Sequence, residues 1–155
     1  MKARSKHFST KAQALPPCSG RGGLAGDPES PTGNPLLLLS AFAGFLAVAM
    51  GALGAHALKG RFNPEEMAWF KTAWEYHLVH ALAIAVLAML RELRPQRQLT
   101  LVMGGWLFGL GILFFSGSLY ALSLGAPVFF AHVTPIGGLA LLSGWVCLGM
   151  GGRKP

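Results

Sequence analysis

Four histidines of this chain bracket apolar runs: His56 closes the first, His77 and His80 open the second, and His132 opens the last. An imidazole can ligate a metal, relay a proton, or simply donate and accept hydrogen bonds. His77 and His80 are spaced i, i+3 and so share a helix face. Ser116, Ser118 and Tyr120 fall near the end of the third run, and Thr134 falls in the first turns of the fourth. Ionisable groups are costly in hydrocarbon, so several gathered at one depth mark a candidate site. No HExxH motif, nucleophile–base pair, phosphate loop or cofactor fingerprint accompanies them, and Glu75 lies on a different face from His80. Three readings stay open: hydrogen-bonding glue between helices, proton or small-molecule handling, and a weak metal pair at His77 and His80.

The elements that must position these residues are membrane spans. Of the 155 residues, 52% are hydrophobic and only 12% charged, against about 25% charged in a soluble domain. Residues 36–58 and 99–152 carry no charge other than that of a histidine. About 20 apolar residues cross the roughly 30 Å of hydrocarbon. The first run supplies one span, and the second supplies two, divided by the turn Gly125-Ala126-Pro127. A further span ends at Leu90, before Arg91. The expected spans are therefore about 36–58, 72–90, 99–124 and 128–151.

Lysine and arginine placement sets the orientation. Lys2, Arg4, Lys6, Lys11 and Arg21 precede the first span, Arg91, Arg94 and Arg97 follow the second, and Arg153 and Lys154 end the chain. Only Lys59, Arg61 and Lys71 fall on the other side, among Glu65, Glu66 and Glu75. Both termini are expected in the cytoplasm. The net charge of +7 is then a topology signal, and with no basic stripe interleaved with aromatics a nucleic-acid partner is not expected. Cys18 and Cys147 lie too differently to imply a disulfide framework.

Residues 1–35, rich in Ser, Pro, Gly and basic side chains, read as a disordered tail. A presequence or a misassigned start has the same composition. Between the first two spans, Asn63, Pro64 and Glu66 have the spacing of an N-cap, first helical turn and capping box. Met67, Phe70 and Trp74 follow at helical spacing and predict a short amphipathic helix anchored at the outer interface, bending or running straight into the second span. Ala43, Ala47, Gly51 and Ala55 repeat every four residues, and Gly105 and Gly109 form a GxxxG continued by Gly117. Small residues at that spacing let helices approach closely in lipid.

Inside-to-outside ordering brings His56, His80, Ser116, Ser118, Tyr120 and Thr134 to the outer half. His80 lies 11 residues from Arg91, roughly 16 Å along a helix and so near mid-membrane. Pro135 frees a backbone carbonyl about one turn earlier, which a hydroxyl or water must satisfy.

The stretches Gly51-Ala52-Leu53-Gly54-Ala55-His56, Tyr76-x-x-x-His80-Ala81-Leu82, Phe115-Ser116-Gly117-Ser118-Leu119-Tyr120 and Thr134-Pro135-Ile136-Gly137-Gly138 resemble the domain-of-unknown-function 423 family of small inner-membrane proteins. The resemblance covers about residues 37–151, in order and spacing. It implies a membrane location, most readily the bacterial inner membrane, and assigns no activity. The family commonly has Gln or another residue where His77 stands and varied residues where His132 stands, which leaves His56 and His80 as the pair of interest.

The expectation is thus an all-α, polytopic membrane protein with four transmembrane helices in a compact bundle plus a short interfacial helix. Its function is expected to be that of a non-enzymatic accessory or scaffold protein, with an outward-facing polar pocket formed by His56, Tyr76, His80, Ser116, Ser118, Tyr120 and Thr134. The alternative is a proton-coupled or small-molecule carrier using His80. No cofactor is expected. The partners are the lipid bilayer and, as an open matter, a second copy or another membrane protein.

Overall fold

The computed structural model describes residues 33–153. The expected tail lies outside the described residues except for its last three positions, where Gly33 and Asn34 lead directly into a helix that begins at Pro35. The elements are α1 (Pro35–His56), α2 (Pro64–Leu93), a 3-10 turn (Pro95–Arg97), α3 (Gln98–Gly111), a π-helical segment (Ile112–Ser116), α4 (Gly117–Ser123) and α5 (Phe129–Gly152). From Pro95 to Ser123 the chain is one continuous span, so four helices are long and apolar enough to cross a membrane. The fold is all-α among the described residues.

Local chemistry starts and stops these helices where the sequence indicates. Asn63 Oδ1 accepts from the backbone N–H groups of Glu65 and Glu66 at 2.9 Å, while Glu66 reaches back to the Asn63 N–H at 2.9 Å. That reciprocal cap satisfies donors a helix start would otherwise leave unpaired. The amphipathic stretch and the second span then form one unbroken helix of 30 residues. Its first turns do not serve as a mere interfacial anchor. Phe70 is buried against Gly54, and the Trp74 indole Nε1 donates to the Ala47 carbonyl of α1 at 2.9 Å.

The α1–α2 pair is held in register by hydrogen bonds one heptad apart. Ser40 Oγ donates to the Ala81 carbonyl at 3.0 Å, seven residues from the Trp74–Ala47 bond on each helix. Seven residues further along α2, the Asn34 side chain donates to the Ala88 carbonyl at 3.2 Å, and Arg91 donates to Asn34 Oδ1 at 3.3 Å. Of the small-residue stripe, Ala43 and Ala47 are buried, and a Cβ on Gly51 would lie 2.7 Å from Trp74 Nε1. Ala55 is exposed; Gly54 takes its place beneath Phe70.

The seam between the third span and α5 is built differently, from glycines facing large side chains. Phe108 sits over Gly144, where an added Cβ would come within 2.5 Å of the ring. Leu101 sits over Gly151, Leu141 over Gly111, and Gly137 meets the backbone of Phe114 and Phe115 directly. Gly137, Gly144 and Gly151 repeat every seven residues, as do Leu101, Phe108 and Phe115, so the antiparallel helices interlock like knobs in holes. The expected packing glycines serve another neighbour. Gly105 receives Leu36 and Gly109 receives Leu39, both of α1. The buried core gathers around Leu36, Ile84, Leu87, Leu101, Phe108 and Leu141.

Candidate functional site

The seven residues expected to form one polar pocket do not converge. His56 is exposed at the last position of α1, and no side-chain hydrogen bond joins it to the other six. His132 is likewise exposed. Ser118 and Thr134 meet each other, at 2.8 Å between hydroxyl oxygens. Ser118 Oγ also lies 2.9 Å from the Phe115 carbonyl. Thr134 Oγ1 likewise lies 3.3 Å from the Phe130 carbonyl of its own helix, so one hydroxyl donates across the pair and the other to a carbonyl of its own span, one turn beyond the Gly137–Phe115 contact. Ser116 is fully buried in the π segment, and its hydroxyl has no partner.

His80 is only 4% exposed and uses both ring nitrogens. Nδ1 lies 2.7 Å from the Tyr76 carbonyl, and Nε2 receives a hydrogen bond from Trp145 Nε1 at 3.1 Å. An indole N–H only donates. Nε2 must therefore be the unprotonated nitrogen, and Nδ1 carries the hydrogen that goes to Tyr76. This fixes a neutral ring in one tautomer. Aromatic rings enclose it: Trp145 at 5.9 Å, Phe108 at 5.3 Å and Tyr76 at 5.8 Å between centroids. Tyr76 itself packs on Phe115 at 4.6 Å, and these side chains, with Pro135 and Gly138, border a cavity of about 450 Å³.

His77, one turn away, turns to a different partner. It is 5% exposed, packs edge-on to Tyr120, and its Nδ1 is 3.5 Å from the Tyr120 hydroxyl, the outer limit of a hydrogen bond. His77 and Tyr120 line a separate cavity of about 410 Å³ between α1 and the third span. The i, i+3 spacing thus does not create a ligand pair. Among the described residues, no group of three or more His, Cys, Asp or Glu side chains could hold a metal ion.

Two residues central to this geometry are not in the expected set. Trp145 stands eight residues from Arg153, about 12 Å inside the membrane end of its helix. A tryptophan at that depth needs an acceptor for its N–H, and that need is a legible signal for a buried His80 partner. Asn34 likewise pins the start of α1 to the end of α2. An Asn-Pro pair ahead of an apolar run signals the cap, though not the long-range bonds.

The family described as "Protein of unknown function (DUF423)" matches residues 50–138. The chain belongs to that family. Among the proteins it is similar to is a UPF0382 membrane protein of Haemophilus influenzae, 41% identical over 121 residues, covering 78% of this chain and 95% of the relative. The UPF0382 inner membrane protein YgdD of Escherichia coli K12 is 38% identical over 122 residues, covering 75% of this chain and 87% of its own length. The UPF0382 membrane protein YwdK of Bacillus subtilis is 36% identical over 112 residues, covering 72% and 90%. No solved structure matches this DUF423 protein. It is a small integral membrane protein of a family without an established molecular function.

Proposed function

We propose that this DUF423 protein is a non-enzymatic accessory or scaffold component of the bacterial inner membrane, its buried polar side chains fixing the helices in register. The observation that carries this reading is the engagement of His80. Its Nε2 accepts from Trp145 of α5 while its Nδ1 donates within α2, which leaves the ring no free nitrogen with which to pass a proton. Ser40, Trp74, Ser118 and Thr134 are engaged in the same way, each bridging two helices or satisfying a carbonyl. Interhelical hydrogen bonds in membranes average about 0.6 kcal/mol, sufficient to set register without chemistry.

The test is flux. Proteoliposomes loaded with a pH-sensitive dye should show no proton movement above protein-free vesicles across an imposed gradient. A flux in the native protein that His80→Gln abolishes would overturn the reading in favour of a carrier.

Placement of both termini in the cytoplasm belongs to the same proposal and is supported by the arginines of the loop after α2 and by Arg153. In a variant with Cys18 and Cys147 replaced by serine, Gln96→Cys should react with an impermeant thiol reagent only from the cytoplasmic side, and Lys59→Cys only from outside. The opposite labelling would reverse the topology.

A further inference from the structure

We propose that the gap between α1 and the third span is a binding site for a membrane quinone, a planar neutral ring with carbonyl oxygens and an apolar tail. The two helices touch only near one end, where Leu36 fills Gly105 and Leu39 covers Gly109. Beyond that point they part, because α1 follows α2 through the Trp74 and Ser40 bonds while the third span follows α5. The space left is about 410 Å³, within the range of small-molecule sites.

The walls define the shape of what fits. One wall is backbone: a Cβ on Gly117 would meet nothing within 4 Å except the Ile112 carbonyl of its own span, at 4.0 Å. Facing it on α1 are Phe42 and Leu46, and Trp106 adds a flat ring further along the glycine's own span. A slot between a glycine and an aromatic ring suits a planar ring better than a branched head. Phe42, Leu110 and Leu113 at the rim are exposed, so the mouth opens sideways toward lipid, the phase in which such a ligand dissolves.

The polar groups define its chemistry. His77, Tyr120 and the Trp106 indole are the hydrogen-bonding side chains lining the gap, and none of its lining residues carries a fixed charge. A carboxylate or phosphate head would find no counter-charge there and a high desolvation cost. His77 and Tyr120 bond each other only at 3.5 Å, and the His77 ring is already engaged with the Ala43 carbonyl of α1, so of the two the Tyr120 hydroxyl is the donor left for a third partner. A carbonyl oxygen in the gap accepts from the Tyr120 hydroxyl. His77 is 14 residues from Arg91, about 21 Å along α2. That depth lies inside the hydrocarbon, below the headgroups of a diacyl lipid but within reach of a quinone ring. The site goes beyond the scaffold role and would give that scaffold a ligand.

The full-length protein in nanodiscs is titrated with decylubiquinone, and quenching of tryptophan fluorescence is followed. The expected result is a saturable component that Trp106→Phe removes, since Trp106 borders the gap. Gly117→Leu fills the open space and should abolish saturable quenching while the protein unfolds at the native temperature. Tyr120→Phe should weaken binding about fivefold, the loss of one ordinary hydrogen bond. Decylbenzene, which has the tail without the carbonyls, should not compete. Quenching that is linear and identical in native protein, Gly117→Leu and Tyr120→Phe would overturn the proposal, and so would equal displacement by decylbenzene.

Discussion

The third span presents two faces that use the same residue type to opposite effect. Toward α5 the glycines are closed off: Gly111 lies under Leu141, Gly104 meets Cys147, and Gly144, on α5, lies under Phe108. Toward α1, Gly105 and Gly109 are filled, but Gly117 faces open space. A glycine in a span is therefore not by itself a packing residue. Its meaning depends on whether the opposite helix brings a side chain, a backbone or nothing. The histidines of α2 differ as well, although each borders a cavity. His80, against α5, is bonded on both nitrogens, whereas His77, toward α1, holds Tyr120 only at 3.5 Å.

The strongest way to break this contrast is to place one side chain at two glycines. A Cβ on Gly137 would lie 2.7 Å from Phe115 Cα and closer still to the Phe115 nitrogen, so backbone would have to move. Gly137→Leu should cost ~3 kcal/mol or more or prevent assembly, read by SDS-titrated unfolding of the purified protein. Gly117→Leu, in open space, should shift the same midpoint by less than ~0.5 kcal/mol. Equal losses at the two positions would mean that the gap closes in the bilayer. A smaller effect sharpens the comparison at the histidines. Trp145→Phe keeps the ring but removes the donor to His80, and should cost ~1 kcal/mol by the same assay.

The spans were legible because charge stops where hydrocarbon begins: Arg91 and Arg153 lie within two residues of the ends of α2 and α5. The Asn63–Glu66 cap was legible because it is local. The seams were not, because spacing along one helix does not say which neighbour a face meets. A four-residue search finds Gly105 and Gly109, whereas the antiparallel seam repeats every seven residues and pairs each glycine with a bulky residue on the other helix. The polar pocket dissolved for a further reason. The π segment at Ile112–Ser116 inserts a wider turn into the third span. An α-helix advances about 100° per residue, so one additional residue in a turn re-aims everything after it. Ser116, Ser118 and Tyr120, close in sequence, consequently end in the π turn, at Thr134 and at His77.

The ladder of bonds between α1 and α2 has a consequence for how the protein is made. Asn34, Ser40 and Trp74 and their acceptors all lie within residues 34–88, upstream of the third span. A ribosome that has completed α2 has already supplied every donor and acceptor of this helical hairpin. The first two spans can leave the translocon as a registered pair and offer a finished surface to the two that follow. For this half of the molecule, the order of synthesis and the order of assembly coincide.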